Sequence, residues 1–357
     1  MHRRDWMMGA GALLATAIPG LSRAAGNRFD AAMAPFAADG FNGVALAGRG
    51  GKILWQKPYG VAEARRQVAL ASRFETGSVS KWIAAITVMA LVDAGTVALD
   101  TPIIAYLPDY RADSGGRVTL RHLMSHCSGV PNDIDAARKA DPQVKLMELD
   151  QMEAVRRYAS GDLAFAPGTR WDYSHSNWIL TKAVAERASG RTYGELVQQF
   201  LTEPLGLKDS GLFRGESSAT PGMAVAYATL SPPQRKLNGI PDYMAMAGGY
   251  YASAGDLFRL MAGVLDGDVL TPASRRTLMQ VQMPDQHYAL GGRTRVEPIA
   301  GQMRETAWED GSNGGFRLVA RRVLADGHTV IVMNNSSFDY MKMGQVADAL
   351  MAAAYLV

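Results

Sequence analysis

The sequence predicts an α/β protein: an antiparallel sheet flanked by helices, with an inserted helical segment dividing the sheet into an early and a late part. Three observations predict it. Strand-like alternation appears near the start and again near the end, helices broken by Pro and Gly lie between, and an amphipathic helix closes the chain. With 357 residues, 48% hydrophobic and 20% charged, the chain can bury one large core or two closely packed ones.

Residues 1–25 are expected to form a removable export signal, which implies a periplasmic or secreted protein. Arg3 and Arg4 precede an uncharged stretch from Gly9 to Pro19, too short to span a bilayer, and Ser22-Arg23-Ala24-Ala25 offers a small-residue cleavage site. The arginine pair resembles a twin-arginine signal; an ordinary signal with two arginines by coincidence is the alternative. Loss of this segment removes Arg3, Arg4 and Arg23 against Asp5, so the formal charge falls from +3 to +1. That balance implies no nucleic-acid partner, and no later apolar run suggests a stable membrane anchor. The single cysteine, Cys127, excludes an internal disulfide and a lipid anchor at the cleavage site, and reads as a packed residue rather than a nucleophile.

Phe41 to Glu63 reads as a hairpin turning at Gly48-Arg49-Gly50-Gly51. Gly50-Gly51-Lys52 is no phosphate loop, because Leu46 stands where its upstream glycine belongs. A long apolar helix starts after Ser78 and stops near Gly95. Helices follow at Val118 to His126, Leu146 to Ser160, Ile179 to Ala188 and Tyr193 to Leu201, and Gly248-Gly249 marks a strand-to-helix corner. Thr306 to Ala325 and His328 to Asn335 read as two antiparallel strands around Asp326-Gly327, followed by a helix from about Tyr340 to Tyr355. The organisation expected is a discontinuous α/β domain, 26–95 with 245–357, and a mainly helical insert, 96–244, with the first and last strands adjacent in the sheet.

Ser78-Val79-Ser80-Lys81 places a hydroxyl and an amine one turn apart at a helix start. The positive end of the helix dipole lowers both pKa values, and burial lowers that of Lys81 further, so a neutral amine able to take the serine proton is expected near neutral pH. The structural alternative is an N-cap serine beside a solvated lysine. His122 and His126 have the spacing of a metal-binding helix, but Leu123 replaces the glutamate of the zinc-protease motif, so no metal and no other cofactor is expected.

Phe74 to Lys81, Leu99-Asp100-Thr101-Pro102, Thr119 to Gly129, Ala166-Pro167-Gly168, Tyr173 to Asn177 and Pro204-Leu205-Gly206-Leu207 occur in the order and approximate spacing of one family. Over about residues 41–335 the chain resembles the serine beta-lactamase-like hydrolases: class C beta-lactamases, D-alanyl-D-alanine carboxypeptidases, D-aminopeptidases and related esterases. The resemblance implies a beta-lactamase/transpeptidase-like fold with the site between the α/β part and the helical part. It assigns Ser78 as nucleophile, Lys81 as its amine and Tyr173 as the phenolate or phenol that exchanges protons with serine and leaving group, leaving open which of Lys81 and Tyr173 is the base. Acyl transfer independently needs such a pair, since a hydroxyl loses a proton on attack and the leaving group gains one.

Two positions depart from the pattern. His175 stands where asparagine is usual; its N–H can still donate to a substrate carbonyl or meet Lys81, and its titration is expected to make activity pH-sensitive. In Trp308 to Phe316, Gly311 permits close backbone approach and the Ser312 N–H joins the Ser78 N–H as an oxyanion hole, but Glu309 replaces the usual cation. An ionised Glu309 repels a substrate carboxylate unless Arg317 or another cation compensates. Neutral or amine-bearing esters and amides, small or peptide-like, are therefore expected over beta-lactams. A beta-lactamase or D-alanyl-D-alanine carboxypeptidase is the alternative, and a non-catalytic penicillin-binding domain or pseudoenzyme is the second.

Overall fold

The computed structural model describes residues 19–357, with side chains from Gly26 onward. The expected export signal therefore lies largely outside the described residues. Within them, a first helix, α1 (Pro19–Ala38), runs unbroken past the expected cleavage point.

The hairpin forms as expected, from β1 (Gly43–Arg49) and β2 (Lys52–Tyr59). The late strands are β3 (Arg293–Ile299), β4 (Gln302–Asn313), β5 (Phe316–Val323) and β6 (His328–Asn334). All six join one antiparallel sheet in the order β3-β4-β5-β6-β1-β2, so the first strand of the hairpin pairs with the last strand of the chain. The run from Thr306 to Ala325 is not one strand: it breaks at Gly314, where φ is +52° and a Cβ would meet the Lys236 carbonyl. Strand β3 has no counterpart in the expectations, because this edge strand alternates Arg293, Arg295 and Glu297 rather than apolar residues.

Both faces of the sheet are covered. Ala45, Ala47, Val330 and Val332 meet Phe29 and Met33 of α1 and Met343, Val346 and Leu350 of the C-terminal helix, Tyr340–Ala354. Val44, Leu46, Ile331 and Met333 face the main core. The helix that follows Ser78, α2 (Val79–Asp93), lies within that core and is buried on every side from Val79 to Leu91, as its apolar run requires. It packs on β4 and against the helices Ser176–Ser189 and Ala245–Gly248.

Between the two parts of the sheet the chain is mostly helical, with shorter elements than expected: Leu120–Met124 ends before His126, and the next helix down the chain is Asp133–Ala140. This stretch is not wholly helical. Ser210–Leu212 pairs with Tyr250–Ala252, which also pairs with Phe74–Glu75, forming a small sheet that leads straight into the nucleophile turn. Strands of two or three residues are too short to show a periodicity. Among the described residues no helix is long and apolar enough to cross a membrane.

Candidate active site

Ser78 occupies the N-cap position of α2 but has helical dihedrals and makes no side-chain cap bond, so its hydroxyl is not spent on the helix. Two glycines let strand β4 approach it closely. Gly77 has φ +54° and its missing Cβ would sit 2.6 Å from Ser312 N, while a Cβ on Gly311 would sit 2.0 Å from the Thr76 carbonyl oxygen and 3.1 Å from Ser78 N. Side chains on either would drive β4 away from the nucleophile turn.

Ser78 Oγ lies 2.8 Å from Tyr173 Oη and 3.4 Å from Lys81 Nζ. Lys81 is fully buried and also donates to the Ala247 carbonyl at 2.6 Å. Burial lowers its pKa to about 7, with Asp135 opposing and Arg138 reinforcing the shift. Burial instead pushes the Tyr173 phenol well up, so it stays protonated at neutral pH. Lys81 Nζ also sits 5.0 Å from the centre of the Tyr173 ring. The three side chains named from the sequence thus converge, with the amine as the group that changes protonation near neutrality.

His175 reaches the site but not as a neutral-pH switch. Its pKa falls to about 4 because it is buried and faces Lys81, with Asp135 acting in the opposite direction. Its Nδ1 lies 3.0 Å from Asp135 Oδ1, at an angle that leaves the nitrogen without an aligned hydrogen bond. The expected pH sensitivity from His175 is corrected accordingly: the imidazole is already neutral where the enzyme would work.

Glu309 lines the cleft beside Ser78, yet the expected repulsive carboxylate is not there. The side chain is 3% exposed and its Oε1 has no hydrogen-bond partner. Burial, with Asp310 next to it, raises its pKa well above the usual carboxylate range and so favours the neutral acid. Arg317 does not compensate it, since Arg317 donates to the carbonyls of Gly314 and Phe316. The cation in this cleft is Arg293, on the edge strand absent from the expectations; it sits 3.3 Å from Asp310 and over the Tyr288 ring.

His122 and His126 do not share a helix face, despite their spacing. His126 lies beyond the helix that carries His122, in a left-handed conformation with φ +57°. Its ring stacks on Tyr173 with centroids 4.4 Å apart, and its Nδ1 accepts from the Ser174 N–H at 3.0 Å, so it braces the phenol's loop. Cys127 is buried against Ser125 Oγ, and burial raises the thiol's pKa, as suits a packed residue.

Two cavities open at Ser78. One, of about 270 Å³, is lined by Tyr173, Tyr288, Arg293, Glu309 and Tyr340. The other, of about 150 Å³, is lined by Arg138, His175, Asn238, Ile240 and Met244. Ser312 borders both, so a carbonyl held between the Ser78 and Ser312 amides would extend one arm into each.

Comparison with known proteins agrees with this geometry. The sequence profile of the Beta-lactamase family matches residues 29–355. Esterase EstB of Burkholderia gladioli is 32% identical over 288 residues, 71% of either chain. The putative penicillin-binding protein PbpX of Bacillus subtilis (strain 168) is 24% identical over 316 residues, 86% of this chain and 73% of that one. Among solved structures, a penicillin-binding protein from Bacillus halodurans superposes with a TM-score of 0.74 at 24% identity, covering 92% of this chain and 98% of its own. The profile spans nearly all the described residues, including every side chain gathered around Ser78, and on that basis this chain belongs to the Beta-lactamase family and has the fold of its hydrolases.

Proposed function

We propose that this protein is an exported serine hydrolase that cleaves an ester or amide through an acyl-enzyme on Ser78 and releases the acyl group to water. The observation that carries this reading is the contact of Ser78 Oγ with both Tyr173 Oη, at 2.8 Å, and Lys81 Nζ, at 3.4 Å. Neutral Lys81 takes the Ser78 proton as Oγ bonds to the substrate carbonyl carbon, and the new oxyanion sits on the Ser78 and Ser312 N–H groups. As the intermediate collapses, the bond to the leaving group breaks and the Lys81–Tyr173 pair returns a proton to it. Water then repeats the sequence on the acyl-enzyme. The 32% identity to an esterase supports ester cleavage.

A fluorophosphonate probe is expected to label the wild type and not Ser78→Ala; equal labelling of both sinks the reading. Correctly folded protein that hydrolyses no p-nitrophenyl ester at all would point to a pseudoenzyme instead.

A second reading, a beta-lactamase or D-alanyl-D-alanine carboxypeptidase, is favoured by one observation. With Glu309 neutral and Arg293 lining the same cavity, the electrostatic objection to carboxylate-bearing substrates weakens. Turnover of nitrocefin at a rate comparable with simple esters supports the beta-lactamase and negligible turnover excludes it; release of D-alanine from a peptide ending in D-Ala-D-Ala supports the carboxypeptidase, and no release beside fast ester turnover excludes that.

A further inference from the structure

The smaller cavity holds a charge that makes no hydrogen bond to Ser78, Lys81 or Tyr173. Arg138 lies on the helix Asp133–Ala140, its side chain is 14% exposed, and its Nε is buried without a hydrogen-bond partner. The closest carboxylate is Asp135, one turn back on the same helix, at 3.7 Å, beyond hydrogen-bond length. Asp135 has other neighbours: its Oδ1 lies 3.0 Å from His175 Nδ1, and its Oδ2 accepts from Asn132 Nδ2 at 3.0 Å. Two of the other polar lining residues, Asn238 and Asn313, bond each other through both side chain and main chain. Among the described residues, Arg138 is the only permanently charged side chain lining this cavity. A guanidinium carries five N–H donors in a fork, and leaving such donors unfilled in a mostly buried place is costly unless a ligand fills them.

The site's chemistry says which part of a substrate enters here. A leaving group must depart beside the acid that protonates it, and Tyr173 lines the larger cavity but not the smaller one. The acyl arm therefore points toward His175 and Arg138. Ile240, Met244 and Ala247 offer apolar wall for a methylene stem. The volume, about 150 Å³, is that of about five waters at ~30 Å³ each, which suits a short chain.

We propose that Arg138 is a specificity-determining residue that binds a carboxylate at the far end of a short acyl group, making dicarboxylic acid monoesters or monoamides the preferred substrates. This rests on the acyl-enzyme reading above. Asp135 leaves room for it, because at 3.7 Å it faces only one edge of the fork and a ligand carboxylate can take another in a bidentate pair.

The test compares monoethyl succinate, glutarate and adipate with ethyl butyrate, pentanoate and hexanoate, followed by chromatography. In wild type, kcat/KM for at least one hemiester is expected to exceed that of the neutral ester of equal chain length by about tenfold, the scale of one charge-assisted hydrogen bond. In Arg138→Gln that ratio is expected to fall to about one, and in Arg138→Lys, which keeps the charge and loses the fork, to an intermediate value. A wild-type ratio of one or less at every length overturns the proposal without any variant. A preference that survives in Arg138→Gln overturns it as well. Fluorophosphonate labelling separates the two levels: labelled Ser78 with no carboxylate preference removes this proposal alone, whereas unlabelled Ser78 removes the hydrolase reading and this proposal with it.

Discussion

Lys81 Nζ is held by the Ala247 carbonyl oxygen at 2.6 Å and stands farther, 3.4 Å, from Ser78 Oγ. The main chain thus fixes the amine in a dry place where its charge is disfavoured, and Tyr173 rather than Lys81 makes the short contact with the nucleophile.

The pH dependence of acylation follows. Lys81 has its pKa lowered to about 7, so its neutral, proton-accepting form grows as pH rises through that value. kcat/KM for a neutral ester is expected to climb through about pH 7 and level off above it. Glu75 is the competing source of such a limb, because burial raises its pKa to about 7. A rate profile of Glu75→Gln settles the assignment: the limb persists if Lys81 causes it and vanishes if Glu75 does.

Glu75 itself ties the nucleophile turn to the oxyanion strand. It is 3% exposed and accepts from Ser217 Oγ at one oxygen and from Asn313 Nδ2, next to Ser312, at the other. Its pKa is raised from 4.5 to about 7, so the folded state holds a proton that the unfolded chain loses earlier. The associated stability is fully present below 4.5 and is lost as pH rises through about 7. By the usual conversion it is on the order of 3 kcal/mol. Denaturant unfolding of Glu75→Gln between pH 5 and pH 8 is expected to show a flatter pH dependence than wild type. An identical dependence in both would mean that another group titrates.

Gly311→Ala would place a methyl group 2.0 Å from the Thr76 carbonyl oxygen and 3.1 Å from Ser78 N. The strand must move away from the nucleophile turn, which opens the oxyanion hole. Loss of one oxyanion donor costs about 10²–10³ in kcat. A fall of that size, with a much smaller change in KM, is the expected kinetic result; an unchanged kcat would show that Ser312 N–H is not an oxyanion donor.

Glu309→Gln tests the neutral acid. A carboxyl kept protonated by burial already lacks charge, so its amide isostere should leave the preference between carboxylate-bearing and neutral leaving groups where it was. A large gain on carboxylate-bearing leaving groups would show that Glu309 is ionised and repulsive after all.

Much of this was legible in the chain. The hairpin's Gly50-Gly51 turn, the apolar run after Ser78 and the closing amphipathic helix are local signals, and each became the expected element. Strand β3 was not legible, because an edge strand rich in Arg and Glu shows no apolar alternation, and Arg293 was missed with it. The break at Gly314 was hidden for the opposite reason: strands β4 and β5 are apolar enough to read as one run, and only the approach of the Lys236 backbone demands the turn.

By itself the sequence carried the coarse order of strands, helices, strands and a closing helix, and the Ser78–Lys81 spacing at a helix start; Ser78, Lys81 and Tyr173 were singled out together only through the family resemblance of the motifs around them. Only the tertiary structure decided what charge the neighbouring groups bear. Burial raises the pKa of Glu309 and lowers that of His175, and the fold places Arg293 and Arg138 in the two cavities that open at Ser78. Desolvation depends on what packs around a side chain from distant parts of the chain, and no short stretch of sequence encodes that.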